Sequence, residues 1–209
     1  MKKILILLLV TASCSYSQIL NGYGIKIGGT ISHQNWDYKN LGFDPHFDPD
    51  NKAGFNLGLF VESANISFIR IVGEVNFIQK GIQKEFPIST SESPDPTGET
   101  MDWELGLNYL NISLLVKPNI NLGILRPYLL IGPKIDMELS KAVETKEDFY
   151  DEFEKNRLGL KLGIGSEFTL FKLRLLGEFM YDTDFSNLYT NDNLEVSAYS
   201  FDIRIGVYL

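Results

Sequence analysis

Along most of the chain, apolar and polar residues alternate with a period of two, the spacing at which side chains occupy opposite faces of a β-strand. Eight segments have this pattern, at about residues 22–32, 53–63, 68–82, 103–117, 124–140, 157–170, 173–182 and 195–209. No segment of helical period reaches a comparable length. The alternation therefore predicts an all-β fold with eight strands.

Within these strands, charged residues share one face and large apolar residues share the other. In the third strand, Arg70 and Glu74 alternate with Ile71 and Val75. A membrane barrel has this arrangement, because a charge facing the middle of the bilayer costs about 2 to 4 kcal/mol. A soluble lipocalin-like barrel gives the same alternation with its inner and outer faces exchanged. The alternation between odd and even positions alone therefore does not distinguish a membrane barrel from a soluble one.

The connections between strands alternate between long and short. Long polar stretches follow strands one, three, five and seven, at residues 33–52, 83–102, 141–157 and 182–195. Short turns follow strands two, four and six, near residues 64–65, 119–121 and 171–172. This rhythm predicts an eight-stranded antiparallel up-and-down transmembrane β-barrel with short periplasmic turns, four long extracellular loops and both termini in the periplasm.

The N-terminus has the pattern of a secretory signal peptide. Two lysines precede an apolar run over residues 4–10, which is too short to span a bilayer, and the small residues Ser15 and Ser17 suit a signal peptidase. We expect cleavage after Ser17, so that residues 1–17 are the signal peptide and residues 18–209 form the outer-membrane barrel domain. Together with the rhythm of long and short connections, this segment favours the membrane barrel over the soluble one and predicts that the protein lies in the cell outer membrane.

Composition excludes several classes of function. Cys14 is the single Cys and the chain has two His, so it has no intramolecular disulfide, no Cys-rich zinc site and no metalloprotease helix motif. A formal charge of -8 argues against a nucleic-acid partner. Cys14 offers an alternative to cleavage after Ser17, namely lipid attachment, because Ala12 and Ser13 are small, although Thr11 stands where Leu is usual.

The inward face of the predicted barrel carries charges of both signs. Eight strands enclose a lumen just wide enough to be filled by side chains, so we expect these groups to pair as a structural network and to leave no porin-like channel. The predicted members of this lumenal network are Lys26, Glu62, Arg70, Glu74, Lys134, Asp136, Glu138, Lys161, Glu167, Arg174, Glu178, Asp202 and Arg204.

The fourth strand departs from strict alternation. Leu105 and Leu107 fall on odd positions, whereas Leu110 and Ile112 fall on even ones. A β-bulge at 108–109 would return both halves to the same face. We therefore expect a bulge in this strand.

Three features of the long loops allow chemistry, and each has a simpler account. His33 lies at the outer end of the first strand, but no Ser and carboxylate are spaced to form a triad with it, and an exposed loop His explains it equally well. Phe149 and Phe153 could line a docking helix, although a small loop core is the favoured reading. One loop could wrap calcium without EF-hand spacing, and solvated turn residues are the favoured account of its Asp44, Asp48, Asp50 and Asn51.

The four long connections hold seven basic and nineteen acidic residues. They either keep the mouth of the barrel soluble or repel anionic surfaces and attract cations and basic partners. We expect no catalytic, cofactor-binding or metal-binding residues.

Four segments resemble the PorT-like family of small outer-membrane β-barrels. They are Glu74–Gly81, Tyr109–Lys117, Arg126–Pro133 and Gly163–Phe168. The resemblance extends over nearly all of the chain beyond the signal peptide, and it implies an outer-membrane barrel and, for one branch, a role in type IX secretion or gliding.

The leading hypothesis is a non-enzymatic outer-membrane protein whose surface loops contact a partner or protect the envelope. The alternatives are an accessory component of a type IX secretion or gliding machine, a small-ligand-binding barrel, or a lipid-modifying barrel enzyme. The expected partners are outer-membrane lipid, the barrel-assembly machinery and an envelope protein that binds the extracellular loops.

Overall fold

The structure is a computed structural model that describes residues 20–39, 48–64, 66–87, 100–143 and 152–209. The strands in these residues are β1 (Leu20–Tyr38), β2 (Asp50–Ser63), β3 (Ile69–Pro87), β4 (Thr100–Pro118), β5 (Leu125–Val143), β6 (Asn156–Leu170), β7 (Leu173–Asp184), β8 (Tyr189–Thr190) and β9 (Leu194–Tyr208). No helix in the described ranges has the length and apolar character to cross a membrane. The predicted signal peptide and Cys14 lie outside the described residues.

The strands form one closed antiparallel ring. Each of β1 to β7 pairs with the next long strand in the sequence, and β9 pairs back with β1, so that Gly24 lies opposite Tyr208 and Tyr38 opposite Leu194. The two-residue strand β8 pairs only with β9 and does not enter the ring. The predicted eight-stranded up-and-down barrel is therefore confirmed.

Several strands extend further on the extracellular side than the sequence pattern predicts. β1 continues to Tyr38 and β3 to Pro87, while β4 already begins at Thr100. Four strands have 19 residues, whereas a membrane-spanning strand needs about 9–11. Hydrogen bonding between strands does not require an apolar outer face. The strands that form the barrel wall therefore extend into water, beyond the residues whose apolar side chains face lipid.

An irregularity occurs at the level predicted for the bulge, 108–109, but the extra residue is in β5 rather than β4, and the predicted consequence is wrong. β4 alternates without interruption, and its odd-numbered residues from Trp103 to Lys117 are all buried. The irregularity lies in the partner strand, because Asn108 pairs with Ser140 and Tyr109 with Glu138, which leaves one extra residue in β5. The apolar residues of the two halves of β4 therefore lie on opposite faces of the wall.

The interior has two apolar regions as well as charged ones. Nearer the periplasmic end, one group packs among the charged side chains and comprises Phe60, Val72, Leu115, Tyr128, Leu130, Leu176 and Met180. At the extracellular end lies a second group, here called the apolar cap, whose buried members are Ile82, Trp103, Leu105, Leu107, Tyr109, Phe153, Leu188, Leu194 and Val196. The barrel thus has a polar lumen that ends in an apolar core on the extracellular side.

Candidate functional site

The lowest charged group in the lumen, here called the periplasmic cluster, consists of Glu62, Arg70, Lys117, Glu167 and Arg174. Arg70 Nη1 donates to Glu62 Oε1 at 2.6 Å and to Glu167 Oε1 at 3.0 Å. Lys117 Nζ donates to Glu62 Oε2 at 2.7 Å and to Glu167 Oε1 at 2.5 Å. Arg174 Nη2 lies 3.2 Å from Glu62 and 3.0 Å from Glu167. Three cations therefore share two carboxylates close to the periplasmic turns.

The next group along the lumen, the central cluster, consists of Lys26, Glu74, Glu178 and Arg204. Lys26 Nζ donates to Glu74 Oε1 at 2.5 Å and to Glu178 Oε1 at 2.8 Å. Arg204 contacts the other oxygens of the same two carboxylates, at 2.9 Å and 2.6 Å. All four residues are buried. Each charge in the cluster has two partners of opposite sign, which is the condition for a buried ion pair to offset its loss of hydration.

The third group, the outer cluster, is built on three carboxylates, those of Asp136, Asp182 and Asp184. Their oxygens lie within 4.8 Å of one another, a spacing that a metal ion could bridge. Lys134 Nζ contacts all three, and Lys80 Nζ contacts Asp136 at 3.0 Å and Asp182 at 3.3 Å. These ammonium groups take the place that a metal would need, so the geometry favours ion pairing over metal binding.

Arg157 completes the outer cluster and joins it to the apolar cap. Its guanidinium pairs with Asp184, and it lies over the ring of Tyr109 with 4.9 Å from Cζ to the ring centroid. Within the cap, the ring centroids of Trp36 and Phe153 are 6.4 Å apart, and those of Phe153 and Tyr189 are 5.9 Å apart. Side chains from three extracellular segments therefore meet above the charged lumen.

Polar side chains connect the clusters into one network. Tyr128 lies between the lower two, since its hydroxyl donates to Glu178 at 2.8 Å while Lys117 Nζ lies 4.0 Å from its ring centroid. Asn111 lies between the upper two, because its amide nitrogen donates to Asp136 and its amide oxygen accepts from Asn76. The clusters are therefore connected by hydrogen bonds and a cation–π contact.

Two buried charged groups have no ion pair within the described ranges. Lys161 Nζ donates to the side-chain oxygen of Asn111 at 2.7 Å and lies within 4 Å of no described carboxylate. Asp202 accepts from Thr30 Oγ1 at 2.7 Å, and its second oxygen has no hydrogen-bond partner. Neither residue is exposed. All other buried charged residues in the described ranges have an ion pair within 4 Å.

The structure places all thirteen sequence-predicted residues along the lumen. Twelve form the three clusters or the unpaired sites above, and Glu138 lies at the outer end, 3.7 Å from Lys141 Nζ. The sequence analysis missed five lumenal charges, namely Lys80, Lys117, Arg157, Asp182 and Asp184. All except Asp184 lie within the strands predicted above, on the inward-facing positions of the alternation. Lys80, for example, follows Arg70 and Glu74 on the even positions of β3.

The loop candidates form no reactive site in the part of the chain that the structure describes. The two ring nitrogens of His33 lie 2.7 Å from Asn51 Oδ1 and 2.8 Å from Asn35 Oδ1, on the outside of the barrel. Asn51 is thus engaged by His33 rather than held open for calcium. Phe153 is buried in the apolar cap. Asp44 and Phe149 lie outside the described residues.

Solved structures with the same architecture are all distant in sequence. OprG of Pseudomonas aeruginosa is 10% identical over 91% of this chain and 97% of that chain, with a TM-score of 0.48. Neisserial surface protein A is 12% identical over 90% and 100%, with a TM-score of 0.46. Ail of Yersinia pestis, solved with the heparin analogue sucrose octasulfate, is 16% identical over 90% and 97%, with a TM-score of 0.37.

No curated protein matches the chain in sequence. A family model does, and it describes the outer membrane protein β-barrel domain over residues 12–190. That model does not distinguish the narrower PorT-like resemblance from other small barrels. Because the match covers well over half of the chain, the chain belongs to the outer membrane protein β-barrel domain family, and its place is the cell outer membrane.

Proposed function

We propose that this protein is a non-conducting, non-enzymatic barrel that acts at the cell surface through its extracellular rim, by contacting a partner or protecting the envelope. The filled lumen is the observation that carries the proposal. Three ion-paired clusters and the apolar cap follow one another along it. A solute could pass only by separating buried charge pairs, and breaking such a pair costs about 3 to 5 kcal/mol. Activity at the exposed ends requires no such opening.

The rim itself has an acidic pocket. On β2, β3 and β4, a pocket of about 170 Å³ is lined by four carboxylates, those of Asp50, Glu85, Asp102 and Glu104, and by one cation, Lys84. Glu104 also pairs with Lys52. Glu85 lies directly opposite Asp102 in the ladder, and like charges in that position are destabilising. A basic partner would relieve this repulsion, so we propose that the partner presents Lys or Arg to the rim.

The absence of enzymatic activity is also part of the proposal. His33 is held by two Asn side chains, and none of the described Ser or Thr residues is hydrogen-bonded to it. The resemblance to PorT-like proteins keeps a narrower role open, as an accessory component of a secretion or gliding machine. Both versions place the activity in contacts with other proteins rather than in turnover of a substrate.

A pull-down from native membranes in mild detergent, followed by mass spectrometry, tests the proposal. The informative variant is Glu85→Lys/Asp102→Lys, which reverses two rim charges at exposed positions. Its matched control is Asp37→Lys/Asp192→Lys, which makes the same charge change at exposed positions on β1 and in the β8–β9 segment. We expect a co-purifying protein with a basic surface that the rim variant loses and the control keeps. Equal recovery with both variants would remove the rim from the proposal.

A further inference from the structure

The three short turns expose large apolar side chains to the periplasmic side. The residues in question are exposed over 60% or more of their surface, and they are Ile66, Phe68, Ile120, Leu122, Ile124 and Phe171. We call this set the turn ring. Apolar side chains of this size at the tips of turns gain nothing from the fold itself, because they contact little of it.

Phe171 carries a conformational cost in addition. It begins the two-residue connection between Leu170 and Leu173, which pair with each other, and its φ is 56°. Gly, Asn and Asp are the residues usually found at positive φ in such turns, because a bulky side chain is strained there. Phe171 is 94% exposed, so no packing within the barrel compensates for the strain. A strained residue that the fold does not require is an indication of an external contact.

The charge of this end points to the nature of the contact. Turn residues 64–68, 119–124 and 171–172 contain no Asp or Glu, whereas the four long stretches predicted as extracellular loops contain nineteen, of which Asp182 and Asp184 lie in the lumen. Lys172 is exposed at the tip beside Phe171. Turns with an exposed Lys and no acidic residue suit a surface of negative charge.

The turn ring is also continuous with the lipid-facing wall. On β5, exposed Leu125 and Leu129 continue the outer apolar face down to the turn that carries Ile124. A groove of about 750 Å³ lies on this part of the wall and is lined by Phe68, Ile120, Leu129 and Ile164, among others. Along β5, the residues that face outward between Ile124 and Leu129 are Leu125 and Pro127, and neither is polar.

We propose that the turn ring inserts into the periplasmic leaflet of the outer membrane, where it holds anionic phospholipid. The apolar tips lie at the boundary between headgroups and acyl chains, the ammonium of Lys172 meets the phosphate, and the groove receives an acyl chain. Aromatic residues and snorkelling lysines occupy this depth in membrane proteins. Continuity with the lipid-facing band favours lipid over a periplasmic protein as the occupant.

Depth measurement tests the insertion directly. In a Cys14→Ser background, Phe171→Cys is labelled with an environment-sensitive fluorophore, and the barrel is refolded into vesicles of phosphatidylcholine with and without phosphatidylglycerol. The matched control is the same label at Asn187→Cys, a partly exposed site on the extracellular side, beyond the outer end of β7. We expect blue-shifted emission at position 171, quenched by lipids brominated near the headgroup, and water-like emission at 187. Water-like emission at both positions overturns the proposal and leaves a periplasmic protein as the occupant.

A second measurement distinguishes a Phe171 that anchors the turn in the membrane from a Phe171 that only destabilises the turn. Phe171→Asn relieves the strain at positive φ and removes the apolar side chain. We expect it to raise the urea midpoint in detergent micelles but to lower it in vesicles that contain phosphatidylglycerol. Lys172→Gln should reduce the stabilisation given by phosphatidylglycerol, whereas Lys39→Gln, at the extracellular end, should leave it unchanged. An equal gain from Phe171→Asn in both media overturns the proposal.

Discussion

The two ends of the barrel are built in opposite ways. At the extracellular end, the interior is apolar around Trp103 and Phe153 while the rim carries carboxylates such as Glu85 and Asp102. At the periplasmic end, the interior is an ion-paired cluster, and the outside is apolar to the tips of the turns. The same continuous sheet forms the wall at both ends. The medium outside it, water or lipid, therefore determines whether the side chains on each face are polar or apolar.

Strand β4 makes this point within a single element. Leu105 and Leu107 point inward where the wall projects into water, and Ile112 and Leu114 point outward where the wall meets lipid. β4 has no bulge between these residues, because the inward and outward side chains alternate without interruption along both parts of the strand. The strand is a soluble-type barrel strand at one end and a membrane-type strand at the other.

The largest effect is expected from breaking the periplasmic cluster. Arg70→Leu leaves Glu62 and Glu167 with one cation fewer in a buried site, and we expect it to destabilise the barrel by about 3 to 5 kcal/mol. Urea unfolding in lipid vesicles measures this. The matched control is Arg126→Leu, since Arg126 is partly exposed and contacts Glu167 only at 3.6 Å, and such a pair is worth about 1 kcal/mol or less. Equal losses would refute a special role for the buried pairs.

Sequence parity predicted the fold and the faces of residues such as Arg70 and Glu74, because a period of two repeats over every strand. Lys117 and Arg157 share the inward face with the predicted charges but are not in the predicted set. They are the last and first residues of their predicted strands, where sequence alone does not separate a lumenal charge from a charge in the adjoining turn or loop. Sequence parity also placed Leu105 on the lipid side. The position at which the membrane ends is a property of the surrounding solvent, and no local sequence signal marks it in β4.

A smaller loss should follow from truncation within the apolar cap. Leu107 is 2% exposed among other cap residues, so Leu107→Ala should cost about 2 to 5 kcal/mol, toward the lower limit if the cap relaxes. Leu114 is 58% exposed on the lipid-facing wall of the same strand, and Leu114→Ala should cost less because it opens no cavity in the protein. Unfolding of both variants in the same vesicles provides the comparison. If the Leu114 variant is the less stable of the two, the cap is not a core.

The lumen also allows a comparison between paired and unpaired charge. Lys26 contacts two carboxylates, whereas Lys161 has only Asn111. Replacing an unpaired buried charge with an apolar side chain of similar volume removes a desolvation cost, so we expect Lys161→Met to change stability by about 1 kcal/mol or less. Lys26→Met should be clearly more destabilising, because it leaves two buried carboxylates, Glu74 and Glu178, to share the single cation Arg204. A Lys161 variant that fails to fold would show that its longer-range attraction to the carboxylates is essential.

The smallest effect is expected on conduction through the barrel, for which we predict no change. Opening the apolar cap with Trp103→Ala/Phe153→Ala removes side chains only from the outer end and leaves the ion-paired clusters below it in place. An eight-stranded wall encloses a space that side chains fill, so a continuous aqueous path would require these clusters to separate as well. We therefore expect neither the unmodified protein nor this double variant to show porin-sized conductance in planar bilayers or sugar-driven swelling of liposomes.

Adding Arg70→Leu to the double variant tests the other end, and leakage confined to this triple variant would show that the two ends close the lumen independently. Conductance from the double variant alone would show that the cap is the barrier and that the charged clusters already admit water and ions.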